Sequence, residues 1–246
     1  MKNVTAVIMA AGDGSRMKID FPKVLCKIGD RKIILRIIDT LKSISINDIV
    51  IVVGYKREMI EKEVGDIVRF VVQDKLLGTG HAIMQTERLI KDMAENILIL
   101  SGDSPLISQK TINDLVNNHI GSKAALTLLT TEMENPFGYG RIVRNSEGKI
   151  IKIVEEVDSS PEEKQIKEIN TGFYCFEKEK LFSSLKKIKP DNAQGEYYLT
   201  DVISDFVESG FKVNSTKASN ALEIMGVNTQ KDLETANSVL ISLEGV

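Results

Sequence analysis

A short apolar run, Val4 to Ala10, passes directly into the turn Ala11-Gly12-Asp13-Gly14-Ser15-Arg16-Met17, with Pro22-Lys23 close behind. This junction constrains the chain more than any other feature. A buried strand that ends in a glycine-rich turn exposes backbone N–H groups and lets a phosphate approach closely. Arg16 and Lys23 add positive charge beside those N–H groups. A polyanion needs both, so the junction fits a polyphosphate better than packing alone.

The rest of the first half alternates strands with helices. Strands are predicted at Ile49 to Val53, Val68 to Gln73 and Ile97 to Leu100. Helices are predicted at Lys32 to Ser43, Lys56 to Val64, Thr79 to Met93 and Ser108 to Asn118, the last with Ser108 as N-cap. In the first of these, Ile33, Ile34, Ile37, Ile38 and Leu41 fall on one face. Such alternation argues for a mostly parallel sheet covered on both faces.

The second half changes character. A strand at Ala124 to Thr131 leads to the turn-rich segment Asn135 to Gly140. Arg141 to Arg144 and Ile150 to Glu155 read as a hairpin, and Asp158 to Lys167 as a polar excursion with a helical turn or two. A strand at Ile169 to Phe176 and a helix at Glu179 to Lys187 follow. Beyond them are a helix at Tyr197 to Glu208, strands at Phe211 to Thr216 and Leu222 to Gly226, and a closing helix at Asn228 to Leu243. The fold class expected is α/β: one domain over residues 1–246, with a mostly parallel central sheet and a small antiparallel subregion.

Composition narrows the chemistry. The net charge of −3 argues against a nucleic-acid coat. No apolar run approaches a membrane span and no signal peptide precedes the first strand, so a cytoplasmic chain is expected. Cys26 and Cys175 have no metal-site spacing, and reduced, partly buried thiols are expected. With two histidines, His81 and His119, any metal must sit on oxygen ligands.

Two familiar phosphate-binding motifs fail at the opening turn. A dinucleotide fingerprint needs a third glycine where Met17 stands, and an acidic residue where Val53-Gly54 end the second strand. A P-loop needs Gly-Lys-Ser/Thr, which does not follow.

MAAGDGSRM followed by FPKVL resembles the signature of the sugar-nucleotide pyrophosphorylases, nucleotidyltransferases of a GT-A-like, Rossmann-like fold. Ser15 stands where threonine is usual and keeps the hydroxyl. QDKLLGTGHA, SGDSPLI, NPFGYGRIV, VEEVD, EINTGFYCF, GEYYLTD and GVN follow in the family's order. Together they are similar to the uridyltransferase domain of the bifunctional bacterial enzymes that make UDP-N-acetylglucosamine. The resemblance covers nearly the whole chain.

It implies a Mg²⁺-dependent reaction of UTP with N-acetylglucosamine 1-phosphate, without nucleic acid or membrane. Arg16 and Lys23 would act on the phosphates, with Ala11, Gly12 and Gly14 supplying the turn around them. Gln73, with Gly78 and Thr79, would read the base; taken alone, Gln73 is a solvated strand end and Thr79 also a helix N-cap. Asp103 and Asn228 would hold Mg²⁺; their plain readings are a turn residue and the N-cap of the last helix. Gly140, Glu155 and Asn170 would contact the sugar, with Glu155 preferred over Glu156 because neighbours on a strand face opposite ways. His81 reads as packing or capping, and Tyr197 and Tyr198 as partial core. Ser101 departs from the aromatic residue common two positions before the aspartate.

The implied division is a nucleotide-binding part at about 1–120, a sugar-binding part at about 121–228 and a closing helix at 228–243. No hexapeptide repeats of the relatives' left-handed β-helix appear, and without that domain a monomer or weak homo-oligomer is expected. Glucose 1-phosphate as acceptor, another nucleoside triphosphate, and a non-catalytic nucleotide-sugar-binding regulator remain the alternatives.

Overall fold

A computed structural model describes residues 3–12, 14–90 and 94–244, with side chains through residue 242. The chain begins with β1 (Val4–Ala10) and the two-residue strands β2 (Lys27–Ile28) and β3 (Arg31–Lys32). Next come α1 (Ile33–Ser43), β4 (Ile49–Val53), α2 (Arg57–Val64), β5 (Arg69–Val72), α3 (Thr79–Met84) and α4 (Glu87–Ile90). Then follow β6 (Asn96–Ser101), α5 (Gln109–Ser122), β7 (Leu126–Glu132), β8 (Arg141–Arg144), β9 (Ile150–Val154) and β10 (Glu168–Glu177). The chain closes with α6 (Lys178–Leu185), α7 (Asp201–Glu208), β11 (Val213–Lys217) and α8 (Gln230–Glu244).

Nine strands form one sheet in the order β11-β7-β10-β6-β1-β4-β5, with β8 and β9 attached beside β10. β1 pairs in parallel with β4 and β6, β4 with β5, and β7 with β11. β10 runs antiparallel to both β6 and β7. The sheet is therefore mostly parallel with an antiparallel insertion, as expected. Parallel pairing puts the carboxyl ends of β1, β5 and β6 on one edge, where open α/β sheets bind ligands.

The sheet is buried on both faces because helices cover each of them, and successive side chains go to opposite faces. Ala6, Ile8 and Ala10 of β1 pack with Ile33, Ile34, Ile37, Ile38 and Leu41 of α1 in one cluster. Val7 faces the opposite cluster, with Ile83 of α3, Leu181 of α6 and Phe206 of α7. Cys26 and Cys175 are free and buried, and burial pushes both thiols up. No described helix is long and apolar enough to cross a membrane.

Several elements differ from expectation. The single helix at Thr79 to Met93 is two short helices parted by a turn at 85–86, and its last three positions lie outside the described residues. The helix at Tyr197 begins only at Asp201, because residues 197–200 lie against the start of α3. The strand at Leu222 to Gly226 is a 3-10 turn, Ala221–Ile224, closed by the Asn220 side chain accepting from Leu222 N–H. β2 and β3 carry too few residues for any apolar periodicity to announce them.

Candidate active site

The carboxyl ends of β1, β5 and β6 open into a cleft of about 400 Å³. Ala11, Gly12, Lys23, Gln73, Gly78, Thr79 and Asp103 all line it, together with Ser101 and Glu196. Gly14, at φ 65, leads into the short 3-10 turn Ser15–Met17. Asp13 of the same turn lies outside the described residues.

Three segments distant in sequence converge at one side of this cleft. The Lys23 ammonium forms an ion pair with Asp103 and donates to Asn228 Oδ1 at 2.7 Å. Arg16 Nη2 donates to the same Asn228 oxygen at 2.8 Å. Ser101 Oγ donates to the other Asp103 oxygen at 2.8 Å. The backbone ties the arrangement together, since Val227 N–H donates to the Asp103 carbonyl at 2.8 Å. A Cβ on Gly226 would lie 3.1 Å from Asn228 Nδ2 and 3.3 Å from Asp103 Oδ1, so this cradle admits only glycine without a shift.

Asn228 does not cap the last helix. Thr229 and Asp232 do so reciprocally: Asp232 N–H donates to Thr229 Oγ1 at 3.2 Å, and Thr229 N–H to Asp232 Oδ2 at 2.8 Å. That exchange leaves the Asn228 carboxamide oxygen for the cations.

On the other wall, Gln73 sits just past β5 and is 4 % exposed rather than solvated. Its Nε2 donates to the Gly78 carbonyl at 3.0 Å and lies 3.1 Å from His81 Nδ1. Thr79 does not cap α3 with its side chain; its Oγ1 accepts from Leu199 N–H at 3.0 Å. A Cβ on Gly78, at φ 100, would meet the Tyr197 carbonyl at 2.6 Å. The glycine therefore answers the 196–198 segment as well as the cleft, and so explains the non-helical start at Tyr197. Tyr198 is buried, and its hydroxyl donates to Gln194 Oε1 at 2.8 Å.

Gly140, Glu155 and Asn170 come together beside β10. Asn170 N–H donates to the Gly140 carbonyl at 2.8 Å, and a Cβ on Gly140 would stand 3.2 Å from Glu155 Oε2. The β10–β7 register shifts between Asn170 and Tyr174, a bulge that follows directly on the Asn170–Thr130 pair. Asn170 Oδ1 accepts from Gly172 N–H at 3.2 Å and its Nδ2 donates to the Tyr174 hydroxyl at 2.7 Å. Thr200 Oγ1 donates to Glu155 Oε1 at 3.0 Å, and burial pushes the Glu155 carboxyl above the ordinary range. Glu156 turns elsewhere, accepting from the buried Arg141 at 2.7 Å and from Gly138 N–H at 3.2 Å. Desolvation works to raise the Glu156 carboxyl, but Arg141 and Gly138 bring it below its usual value.

Sequence reasoning missed three neighbours of these groups. His81 holds Gln73, Ser101 holds Asp103, and Tyr139 lies beside the Asp103 cradle. The Tyr139 phenol is pushed up by burial, then by Asp103 and Asp232, against a weaker opposing influence of the Gly226 backbone. No periodicity marks such contacts, because each joins residues on different elements or across a turn.

The two cation-holding oxygens and the basic turn suit a polyphosphate with a hard divalent ion, which binds few protein ligands and keeps waters. Among the described residues no cluster of three histidine, cysteine, aspartate or glutamate side chains offers an all-protein metal cage.

The family model described as Nucleotidyl transferase matches residues 5–234. The bifunctional protein GlmU of Streptococcus gordonii is 45% identical over 96% of this chain. That of Streptococcus agalactiae is 44% identical over 96% of the chain. In each case the matched region is 51% of the relative, so the chain spans about half the length of the curated relatives it matches. Among solved structures, a Bacillus anthracis protein assigned as a glucose-1-phosphate thymidylyltransferase superposes with a TM-score of 0.77 at 25% identity, covering 96% of this chain and 94% of that one. A UDP-glucose pyrophosphorylase complexed with UDP-glucose shares the fold at a TM-score of 0.79 and 20% identity, covering 99% and 100%.

Proposed function

The chain belongs to the nucleotidyl transferase family, and from that premise we propose that it joins UTP to N-acetylglucosamine 1-phosphate, releasing pyrophosphate and UDP-N-acetylglucosamine. One observation carries the reading. The opening turn, Gln73, Gly78, Thr79 and Asp103 share a single cleft, with Arg16 and Lys23 converging on Asp103 and Asn228 at its side. The identity to GlmU proteins supports the choice of product.

The chemistry is in-line displacement at the α-phosphorus. The acceptor phosphate is already an anion, so no general base is needed, and catalysis is alignment with charge stabilisation. Arg16 and the amides of Ala11, Gly12 and Gly14 hold the triphosphate and the departing pyrophosphate. Lys23 neutralises the approach of two anions. Gln73, with Gly78 and Thr79, reads the base. Gly140 offers its backbone to the sugar, Glu155 accepts from its hydroxyls, and Asn170 serves the N-acetyl region. Residues 1–120 thus bind the nucleotide and residues 121–228 the sugar.

Asp103 and Asn228 are the residues that would hold Mg²⁺. Their oxygens already share one cation, the Lys23 ammonium, and Gly226 leaves room beside them, so the donor set fits a hard ion. When bound, Mg²⁺ supplies charge neutralisation at the phosphate oxygens. With Asp103 and Asn228 holding the ion, the Lys23 ammonium would be available to the phosphates.

The test is pyrophosphate release from a panel of UTP, dTTP, CTP and GTP against several sugar 1-phosphates with Mg²⁺. Release fastest with UTP and N-acetylglucosamine 1-phosphate supports the assignment. Preference for glucose 1-phosphate or another triphosphate redirects it within the family. Tight binding of UDP-N-acetylglucosamine without turnover under any combination makes the chain a binding regulator instead.

A further inference from the structure

The side chain of Gln73 is held from two directions. Its Nε2 donates to the Gly78 carbonyl at 3.0 Å and lies 3.1 Å from Nδ1 of His81, in the first turn of α3. A primary amide carries two N–H donors and one carbonyl acceptor. With one N–H on Gly78 and the other on His81, the group left for a ligand is the carbonyl oxygen. The ring's other nitrogen, Nε2, lies 3.1 Å from the Gln85 amide nitrogen, which has its own acceptor in the His81 carbonyl at 3.1 Å. Gln73 is only 4 % exposed, so its second N–H takes Nδ1 rather than water as acceptor, and the ring proton falls to Nε2. A neutral imidazole with its proton on Nε2 presents a bare lone pair at Nδ1.

We propose that His81 is a positioning residue that locks Gln73 as an acceptor-only reader of the nucleotide base. The inference rests on reading the cleft as a nucleotide site. An acceptor-only reader takes a base edge that brings an N–H. The imide N3–H of uracil or thymine does so, whereas N3 of cytosine brings a lone pair that opposes the Gln73 oxygen. Without an acceptor at position 81, the amide keeps only its bond to the Gly78 carbonyl and can turn its NH₂ group to the ligand instead. Loss of the lock therefore relaxes discrimination rather than abolishing use of UTP. Burial, the first influence on His81, lowers its pKa and favours the neutral ring that the lock requires.

The test compares kcat/KM for UTP and for CTP, at saturating sugar phosphate, in the wild type, His81→Phe and His81→Asn. Phenylalanine keeps the ring and removes the acceptor. Asparagine places an oxygen near the Nδ1 position and restores it. The UTP-to-CTP ratio should fall roughly tenfold in His81→Phe, the scale of one lost hydrogen bond, and stay within about twofold of wild type in His81→Asn. An unchanged ratio in folded His81→Phe, or an equal loss in both variants, overturns the proposal. Imidazole ¹⁵N spectra of the wild-type protein give an answer that needs no variant. They should show the Nε2–H tautomer, and an Nδ1–H tautomer would overturn the lock. Failure of the wild type to use or bind any pyrimidine triphosphate is a separate result, which removes the pyrimidine reading on which the inference rests.

Discussion

Lys23 and Asp103 come from opposite ends of the nucleotide-side segment and meet as an ion pair at the edge of the cleft, each side chain about 15% exposed. The pair links the opening turn to the end of β6. It also means that Asp103 already serves a cation before any substrate arrives. Replacing Asp103 with asparagine keeps the shape and removes the charge that a divalent ion needs. Asp103→Asn should lower kcat roughly 10²–10³-fold, the usual scale for one transition-state electrostatic contact. Cooperative unfolding should be retained, because Asn228 still accepts from Lys23. Pyrophosphate-release kinetics across a Mg²⁺ titration, with thermal melts of both proteins, check the two halves of this expectation.

Glu155 and Asn170 should separate from the donor side in their kinetics. Both lie with Gly140 beside the β10 bulge, and neither lines the cleft that holds Gln73. Glu155→Gln exchanges a carboxylate acceptor for an amide at the site proposed to meet the sugar hydroxyls. The KM for the sugar phosphate should rise about tenfold with little change in the KM for UTP. Equal increases in both would place Glu155 in the shared framework instead.

Much of this was legible in the sequence, for a physical reason. Strands buried on two faces and helices with one apolar face write their period into the residues, so β1, β4, β6 and α1 stand almost where expected. Residues at the carboxyl ends of parallel strands must share an edge, and Gln73 and Asp103 therefore share the cleft. Contacts set by packing across distant segments leave no such mark. Tyr197 reads as the start of an amphipathic helix, yet its N–H and carbonyl are taken by Leu77 and Gly80. Asn228 has the spacing of a cap, but Thr229 and Asp232 do the capping. Ser101, a departure from the family's aromatic residue, is explained only by its hydrogen bond to Asp103.

The junction of α3 with residues 196–198 should be intolerant of a single methyl group. Gly78 has φ 100, and an added Cβ would lie 2.6 Å from the Tyr197 carbonyl and 2.8 Å from Glu196 Cβ. Backbone cannot yield there without breaking the Tyr197 N–H bond to Leu77. Gly78→Ala should destabilise the protein by roughly 2–4 kcal/mol, combining left-handed backbone strain with overpacking. It should also weaken UTP binding, because Gly78 carries the carbonyl that Gln73 uses. Urea unfolding and nucleotide titration measure the two effects independently.

His119 makes the fold sensitive to acid at a point remote from the cleft. It is 2% exposed, with Nδ1 3.2 Å from Thr127 Oγ1 and Nε2 3.1 Å from Asn96 Oδ1. Burial lowers its pKa to about 4, against a weaker opposing pull from Glu177. The unfolded chain therefore takes up this proton first as pH falls. The folded state keeps its full stability above the ordinary histidine pKa of about 6.5 and loses it progressively down to about 4. From this residue alone the loss should reach roughly 2 kcal/mol by pH 5. His119→Gln keeps a hydrogen-bonding side chain and has no proton to gain. Although it is expected to be less stable at pH 7, its urea midpoint should fall less than that of the wild type between pH 7 and pH 5. Parallel declines in the two proteins would assign the acid sensitivity to the carboxylates instead.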